Sequence, residues 1–256
     1  MVQAYHIITF ETAFTSIEFM HENIYHFDNK ATVVFSNSIE PKDLAVRFGA
    51  NANKISHVKT ASTKDDPGYQ SIVTAKFEKV DKTDFDVFAD GIVLDESNTC
   101  AVIYTADCPS VTLYEKVSNR LVLAHSGRPA MTPNNKEGEP ITNIITLAFK
   151  KITEGVQNPK VSAHITGYIC AEHFEHIGKE AELLIRPFDQ FGKIAFLNRE
   201  RGQLDLPAII EHQLSKLGVP KDSIKSESIC TFESPELESY RRDRSSKRNL
   251  TVAILH

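Results

Sequence analysis

Cys108 and His125 are two residues whose types and spacing suggest shared chemistry. Cys108 ends the segment TADC, His125 begins the H-S-G of AHSG, and the residues between them predict a β-hairpin with strands VTLYE and RLVLAH. If KVSN forms the turn, facing residues have numbers that sum to about 235. Cys108 is then opposite a position near residue 127, close to His125, where facing and diagonal Cβ atoms are roughly 5–8 Å apart.

A thiol and an imidazole at this separation fit two kinds of chemistry. Both groups are zinc ligands, and a Cys–His pair is also a nucleophile with its base. The alternative is that Cys108 is a small buried residue and His125 is a polar residue at a strand end. The register decides between these readings, because a shift of one residue moves one side chain to the other face.

A zinc ion in an enzyme usually has three protein ligands, so a further ligand is expected. The candidates are His57, in the segment NANKISHVKTAS, and three histidines in AHITGYICAEHFEHIG, namely His164, His173 and His176. His173 and His176 are three residues apart, so they would share a helix face and bind a metal themselves, or lie on a solvated surface. The residues alone leave this choice open.

The pattern of apolar residues predicts a mixed α/β (α+β) fold in one domain, residues 1–256. Strands are predicted at ATVVFSNS, ADGIVLDES, CAVIYTAD, SIKSESICTF and NLTVAIL, and helices at EPKDLAVRFGAN, EPITNIITLAFKKI and DLPAIIEHQLSKLG. The second helix has an apolar face from Ile141 to Ile152, and the third has Asp205 as N-cap and Gly218 as its stop. The N-terminal part, roughly to Ala31, shows no clear pattern.

Composition excludes several classes of partner. The chain has 256 residues, 41% of them hydrophobic, and a formal net charge of −5, which argues against nucleic acid or an anionic membrane as the main partner. It has no apolar run of about 20 residues and no recognisable secretion signal. Its four cysteines form no CxxC pair, so we expect reduced thiols and a cytoplasmic location.

Several sequence blocks, in order, resemble the laccase-domain family, the multicopper polyphenol oxidoreductases. They are TADC followed by AHSG, then LDLPAIIEHQLSKLGV, then CT, and then SYRRD followed by KR before the last apolar strand. The resemblance runs from about residue 30 to the end and implies a sandwich of mixed β-sheets flanked by helices. The family's metal site is formed by a histidine, a cysteine and a histidine. The resemblance thus implies that His57, Cys108 and His125 are catalytic and bind zinc, with copper the less favoured metal.

The same family is associated with purine nucleoside phosphorylase and adenosine deaminase activity. The resemblance implies phosphorolysis of adenosine, inosine or methylthioadenosine to the base and ribose 1-phosphate, by a monomer or homodimer. Deamination would use a zinc-bound hydroxide that attacks C6 of adenine. Planar guanidinium groups suit phosphate, so Arg128, Arg241 and Arg242 are expected at the phosphate or substrate, together with Tyr240. Asp107 is a candidate for orienting a ligand.

The chain departs from the family pattern at three places. Val58 follows His57 where the family has glycine, Pro109 directly follows Cys108, and Arg128–Pro129 replaces a Trp-Arg pair. The missing Trp-Arg pair and the inserted polar segment near Asn134 to Glu139 favour, as an alternative, a metal-binding relative that acts as a binding or structural protein. A copper-dependent phenol oxidase is disfavoured, because the ten histidines include no HxH pair. A metal-free hydrolase that uses the cysteine and the histidine is the remaining alternative.

Overall fold

Two β-sheets packed face to face form the centre of the molecule. A computed structural model describes residues 22–37, 39–77, 87–136 and 139–256. These residues confirm the predicted mixed α/β class, with strands in three sheets and helices outside them. The N-terminal segment without a clear pattern lies mostly outside the described residues. The extent of a single domain over residues 1–256 stays a prediction for the same reason.

The strands of the described residues are numbered in chain order. They are β1 (Glu22–Phe27), β2 (Ala31–Ser36), β3 (Ile55–His57), β4 (Ile72–Thr74), β5 (Gly91–Leu94), β6 (Thr99–Thr105), β7 (Ser110–Glu115), β8 (Arg120–His125), β9 (Val161–Thr166), β10 (Phe196–Asn198), β11 (Gln203–Leu204), β12 (Ile224–Ser226) and β13 (Asn249–Leu255). The first sheet has the order β1-β2-β13-β6-β3, and the second has the order β12-β9-β7-β8-β5-β4. A short β10–β11 pair forms the third sheet.

The helices are short, and the three longest lie on the outer faces of the two sheets. They are α1 (Pro41–Arg47), α2 (Arg128–Met131), α3 (Ile144–Thr153), α4 (Ala181–Ile185), α5 (Leu206–Lys216) and α6 (Tyr240–Asp243), with 3-10 turns at Arg186–Ala195 and Lys221–Ser223. Within the described part of the chain, none of the helices has the length and apolar character that a membrane span requires.

Three apolar clusters hold these layers together. Between the two sheets, Ile103 and Ala253 of the first sheet belong to one cluster with Leu121 and Leu123 of the second. The outer face of the second sheet packs against α3 and α5, and α1 packs against the outer face of the first sheet. Successive side chains of a strand point to opposite faces of the sheet. Each side chain of the sandwich therefore points either inward, between the two sheets, or outward, away from the other sheet.

Two helix predictions are confirmed, and the third needs a correction at its start. The helix predicted from Glu139 begins only at Ile144, because Asn143 caps it by accepting hydrogen bonds from the backbone N–H groups of residues 145 and 146. Ile141 therefore precedes the helix, although it still packs on the core. The predicted strand that runs into Cys230 is also shorter: β12 ends at Ser226, and Cys230 makes only an isolated bridge.

The β7–β8 hairpin has the predicted register. Ser110 faces His125, and Glu115 faces Arg120, so that both pairs sum to 235. The turn is held by the Glu115 carboxylate, which accepts hydrogen bonds from the backbone N–H groups of Val117, Ser118 and Lys160 and from the Ser118 hydroxyl. One buried carboxylate thus fixes the turn that sets the alignment of Cys108 and His125.

Glu115→Gln will destabilise the protein in a pH-dependent way. Burial by itself raises the pKa of Glu115, but hydrogen bonds from Ser118 and Lys160 outweigh this effect and hold it below its ordinary value of 4.5. The ionised carboxylate is therefore stabilised by folding, and this contribution is present above that value and lost as the pH falls below it. We expect a loss of about 1–3 kcal/mol at pH 7 that shrinks toward pH 3.

Urea denaturation at a series of pH values measures this loss. The matched control is Glu154→Gln, because Glu154 is exposed near the same end of the molecule. A difference between wild type and Glu115→Gln that stays constant from pH 7 to pH 3 would contradict the assigned role of the carboxylate.

Candidate active site

Cys108 and His125 meet at one end of the hairpin, around the backbone of Gly127. A methyl group placed on Gly127 would lie 2.8 Å from Cys108 Sγ and 2.8 Å from His125 Nε2. The two side chains thus approach the same point, with Cys108 Sγ on the Nε2 side of the His125 ring. The hairpin register explains the meeting, because the constant sum of 235, extended past the end of β7, places Cys108 opposite Gly127. The absent side chain of Gly127 leaves the space in which the two groups approach.

Asp90 orients the imidazole from its other side. His125 Nδ1 lies 3.0 Å from Asp90 Oδ1, and the backbone N–H of His125 donates to the Asp90 carbonyl at 2.7 Å. The carboxylate is fully buried and also accepts hydrogen bonds from the backbone N–H groups of Ala61 at 3.0 Å and Gln70 at 2.8 Å. The His125 ring therefore lies between the Asp90 carboxylate, to which it is hydrogen-bonded, and the Cys108 thiol.

Sequence reasoning missed Asp90, although a signal for it exists. Asp90 directly precedes β5, and β5 pairs antiparallel with β8 so that Gly91 faces Ala124. The same register places Asp90 opposite His125. An acidic residue at the start of a buried strand, in the segment ADGIVL, was therefore the available signal, but only the strand pairing identifies its partner.

The neighbours of His125 favour its protonated form. Burial alone lowers the pKa of His125, but hydrogen bonds to Asp90 and Cys108 outweigh burial and raise the pKa to about 10. The imidazolium has an acceptor on each nitrogen, a carboxylate on one side and a sulfur on the other. This carboxylate–imidazole–thiol order is the arrangement that orients and activates a cysteine or supplies a proton in enzymes.

Two arginines add positive charge next to the thiol. Arg128 follows Gly127 and is half-buried; burial lowers its pKa, the Cys108 and Tyr69 groups raise it, and the charge of Arg241 lowers it. Arg241 is held in place because its backbone N–H donates to Asp107 Oδ2 at 2.6 Å and its Nη1 donates to a backbone carbonyl at 2.5 Å. Two guanidinium groups within electrostatic reach of each other favour an anion between them.

A groove of about 1000 Å³ borders this region through the side chain of Arg241. His176, Arg201 and Arg244 also line the groove. Burial lowers the pKa of His176, and the nearby charges of Arg128 and Arg241 lower it further, which keeps its ring neutral at pH 7. The groove is thus wide enough for a ligand of nucleoside size, and its walls carry both arginine donors and the carboxylates of Glu172, Glu175 and Glu180.

The structure does not bring His57 to this site. His57 ends β3, and its ring lies nearly parallel to that of Tyr104 with the centroids 6.2 Å apart. Tyr104 packs on the outer side of the first sheet, whereas Val58 belongs to the cluster between the sheets. Because neighbouring side chains alternate between faces, His57 points outward and Val58 inward. Among the described residues, the ligand atoms of His57, Cys108 and His125 do not all come within 4.8 Å of one another.

Arg242 differs from the expectation of a phosphate contact. Its guanidinium group faces its own loop, and the N–H donors bond to groups of that loop. Its Nη1 donates to the carbonyl oxygens of Thr231, Phe232 and Ser234, its Nη2 donates to that of Leu237, and Nε and Nη2 contact the Asp243 carboxylate. Arg242 therefore holds this loop together. Of the two adjacent arginines, Arg241 is the one that lines the groove.

Tyr240 and Asp107 also occupy unexpected environments. The side chain of Tyr240 is 48% exposed and lies under the guanidinium groups of Arg244 and Arg248, 5.4 and 5.9 Å from its ring centre. Asp107 is buried and accepts hydrogen bonds from the Thr231 hydroxyl at 2.7 Å and from the Arg241 backbone. Asp107 thus anchors the loops beside Cys108, and the imidazole is oriented by Asp90.

The chain belongs to the multi-copper polyphenol oxidoreductase laccase family, whose model matches residues 26–256. A crystal structure of the Bacillus licheniformis hypothetical protein YfiH has the same fold, with a TM-score of 0.69 and 19% sequence identity, over 88% of this chain and 93% of that one. The predicted family and the predicted fold class are therefore confirmed.

The chain is also similar to curated bacterial proteins named purine nucleoside phosphorylase. One from Campylobacter jejuni is 29% identical over 169 residues, which are 65% of this chain and 66% of the relative. One from Streptomyces coelicolor is 28% identical over 162 residues, 62% of this chain and 61% of the relative. The match thus spans just under two thirds of the length of these two relatives. For one from Clostridium acetobutylicum, identity is 25% and coverage is 89% of this chain and 93% of the relative.

Gly127→Ala will force the thiol and the imidazole apart. The added methyl group would lie closer to both atoms than a real contact allows, so we expect the free energy of unfolding to fall by about 1–3 kcal/mol. The same substitution will cost less when Cys108 is already alanine, because Sγ is then absent. Chemical denaturation of the four proteins of this double-mutant cycle measures the difference. Equal costs in both backgrounds would show that Gly127 and Cys108 do not share this space.

Proposed function

We propose that the protein is a purine nucleoside phosphorylase whose reaction takes place beside Cys108 and His125. The observation on which the proposal rests is an imidazole that is hydrogen-bonded to a buried carboxylate, beside a thiol and two arginines. Phosphorolysis needs an anion site for phosphate and a proton donor for the departing base. The names of the related bacterial proteins support the same reaction.

In the proposed reaction, Arg128 and Arg241 hold inorganic phosphate. A phosphate oxygen bonds to C1′ of the ribose, the bond between C1′ and N9 of the base breaks, and its electron pair passes to the purine. The His125 imidazolium, oriented by Asp90, donates the proton that makes the purine a neutral leaving group. The products are the free base and ribose 1-phosphate, and adenosine, inosine and methylthioadenosine are the proposed substrates.

The family name implies a metal, and two of the three expected ligands fit one. Cys108 Sγ and His125 Nε2 approach the same point, and Asp90 binds the other ring nitrogen, as in many metal-ligating histidines. His57 does not fit, because it faces the outer side of the first sheet. Cys108 and His125 are therefore the residues that would hold zinc, and bound zinc would supply hydroxide at neutral pH. The phosphorolysis proposed here uses the protein's own groups.

Adenosine deamination is the further reaction that the family resemblance implies. It requires an activated water at C6 of adenine, and the described residues do not assemble the three-ligand site that would hold the zinc for it. We therefore propose phosphorolysis as the main activity. The release of ammonia and inosine from adenosine, without phosphate, is the result that would assign deamination instead.

A nucleoside panel assayed with and without phosphate tests the proposal. We expect phosphate-dependent release of a purine base together with an equal amount of ribose 1-phosphate. This release will be lost in His125→Gln and slower in Cys108→Ala, because the thiol is one of the groups that favour the protonated imidazole. Metal analysis of the active protein shows whether His125 is a proton donor or a metal ligand. Zinc bound to Nε2 would occupy the position of the proton that the imidazolium donates. Base release that ignores phosphate, or no release from any nucleoside, would contradict the proposal.

Arg128→Ala and Arg241→Ala will each weaken the binding of phosphate. A charge-assisted hydrogen bond is worth about 1.5–3 kcal/mol, which corresponds to an increase of roughly 10- to 150-fold in KM for phosphate. The KM for the nucleoside will change less. The matched control is Arg248→Ala, because Arg248 is an exposed arginine of the same C-terminal region that lies on Tyr240. An unchanged KM for phosphate in both variants would exclude the assigned phosphate site.

A further inference from the structure

Two short segments of the chain share one pattern: a cysteine, two other residues, and then a second side chain that binds metals. They are CAEH, from Cys170 to His173, and CTFE, from Cys230 to Glu233. Each forms a turn, in which the backbone N–H of His173 donates to the Cys170 carbonyl at 3.1 Å and that of Ser234 donates to the Cys230 carbonyl at 3.1 Å. This spacing matches the Cys-x-x-ligand turns that hold structural zinc ions.

The two turns lie side by side, so their side chains converge. Tyr168 and Cys230 form an isolated parallel bridge that aligns the two segments. As a result, Sγ of Cys170, Sγ of Cys230 and a carboxylate oxygen of Glu233 all lie within 4.8 Å of one another. His173 Nε2 lies 3.0 Å from Glu233 Oε1 at the edge of this cluster, outside the three donors that converge, where it would be the fourth ligand once an ion is bound.

The surroundings of the cluster suit thiolate ligands and an ion that enters from solvent. Cys230 is only 5% exposed, and its Sγ accepts a hydrogen bond from the backbone N–H of Cys170 at 3.1 Å. Such a bond stabilises a sulfur that carries negative charge. The side chain of Glu233 is 62% exposed and that of His173 is 32% exposed. The inner ligands are thus fixed, and the outer ligands are free to adjust around an ion.

The charges of the cluster also favour a cation. The carboxylates of Glu172 and Glu233 lie close to the Cys170 thiol. Negative groups on this side of the two thiols attract a cation. A divalent cation among them displaces the thiol protons, which is the usual coupling between metal binding and proton release.

We propose that Cys170, Cys230, Glu233 and His173 form a binding site for zinc, separate from the Cys108–His125 pair. Two sulfur donors, one nitrogen and one oxygen are a donor set that favours tetrahedral Zn²⁺ over Mg²⁺ or Ca²⁺. The ion would join the loop after β9 to the loop before α6. Both loops are anchored on Asp107, through Ile169 and Thr231, so the ion would stiffen the border of the groove.

Metal titration of a chain that lacks the other thiol site tests this proposal. The chain with Cys108→Ala is reduced, stripped of metal and titrated with Co²⁺ and then with Zn²⁺. We expect one equivalent of Co²⁺ with the thiolate-to-cobalt absorption of a tetrahedral sulfur-containing site, its displacement by Zn²⁺, and release of protons. Cys170→Ser in this background will abolish the absorption.

A surface variant tests the same site without the risk that the substitution of a buried cysteine unfolds the protein. Glu233→Ala removes an exposed ligand, and we expect at least a tenfold weaker affinity for Zn²⁺ with an unchanged circular-dichroism spectrum. The matched control is Glu172→Ala, which removes an exposed carboxylate of the neighbouring turn and will retain nearly the full affinity.

Three results would overturn the assignment. The first is the absence of the cobalt absorption in the Cys108→Ala chain, and the second is equal affinity of Glu233→Ala and Glu172→Ala for Zn²⁺. The third is the loss of two titratable thiols in air with recovery by a reductant and no uptake of metal, which would identify Cys170 and Cys230 as a redox-sensitive thiol pair. Nucleoside cleavage is not measured in these experiments, so the outcome is independent of the proposed reaction.

Discussion

The buried carboxylate of Asp90 is the group on which the arrangement of the candidate site depends. A buried charge is costly unless hydrogen bonds and an opposite charge compensate it. Asp90 receives both, from the backbone N–H groups of Ala61 and Gln70 and from the imidazolium of His125. These contacts join the strand that bears His125 to the loop between β3 and β4. Moving any one of the three, the Asp90 carboxylate, the His125 ring or that loop, would therefore break contacts that hold the other two.

The loop held by Asp90 in turn supports the residues that follow Gly127. The Gln70 side chain donates hydrogen bonds to the carbonyl groups of Ala130 and Thr132, and the Tyr69 hydroxyl donates to that of Pro129 at 3.1 Å. The segment that replaces the Trp-Arg pair of the family is thus well anchored. The backbone that carries Arg128 beside the thiol is therefore held in place, and Pro109 keeps its carbonyl in the hairpin by accepting the Ser126 N–H at 2.8 Å.

Local patterns in the sequence predicted much of the hairpin and of the fold. The pairing of β7 with β8 was predictable because the two strands and the KVSN turn follow one another in the chain. The turn position and the alternation of apolar residues then set the register. Asp90 was missed because its partner depends on which distant strand lies beside β8. His57 was assigned by family position, and a difference of one residue in strand phase decides whether it or Val58 faces inward. Likewise, Arg241 and Arg242 are adjacent in the sequence, and only their positions on α6 direct one toward the groove and the other toward its own loop.

The position of β13 has a consequence for how the chain reaches its folded state. This strand, Asn249–Leu255, lies in the middle of the first sheet and pairs with β2 on one side and β6 on the other. During synthesis, β2 and β6 are therefore made long before the strand that separates them. Each presents an unpaired edge until Asn249–Leu255 has been synthesised and inserted between them, and such edges readily pair with other chains. The first sheet is thus completed by a strand that comes more than 140 residues after β6 in the chain.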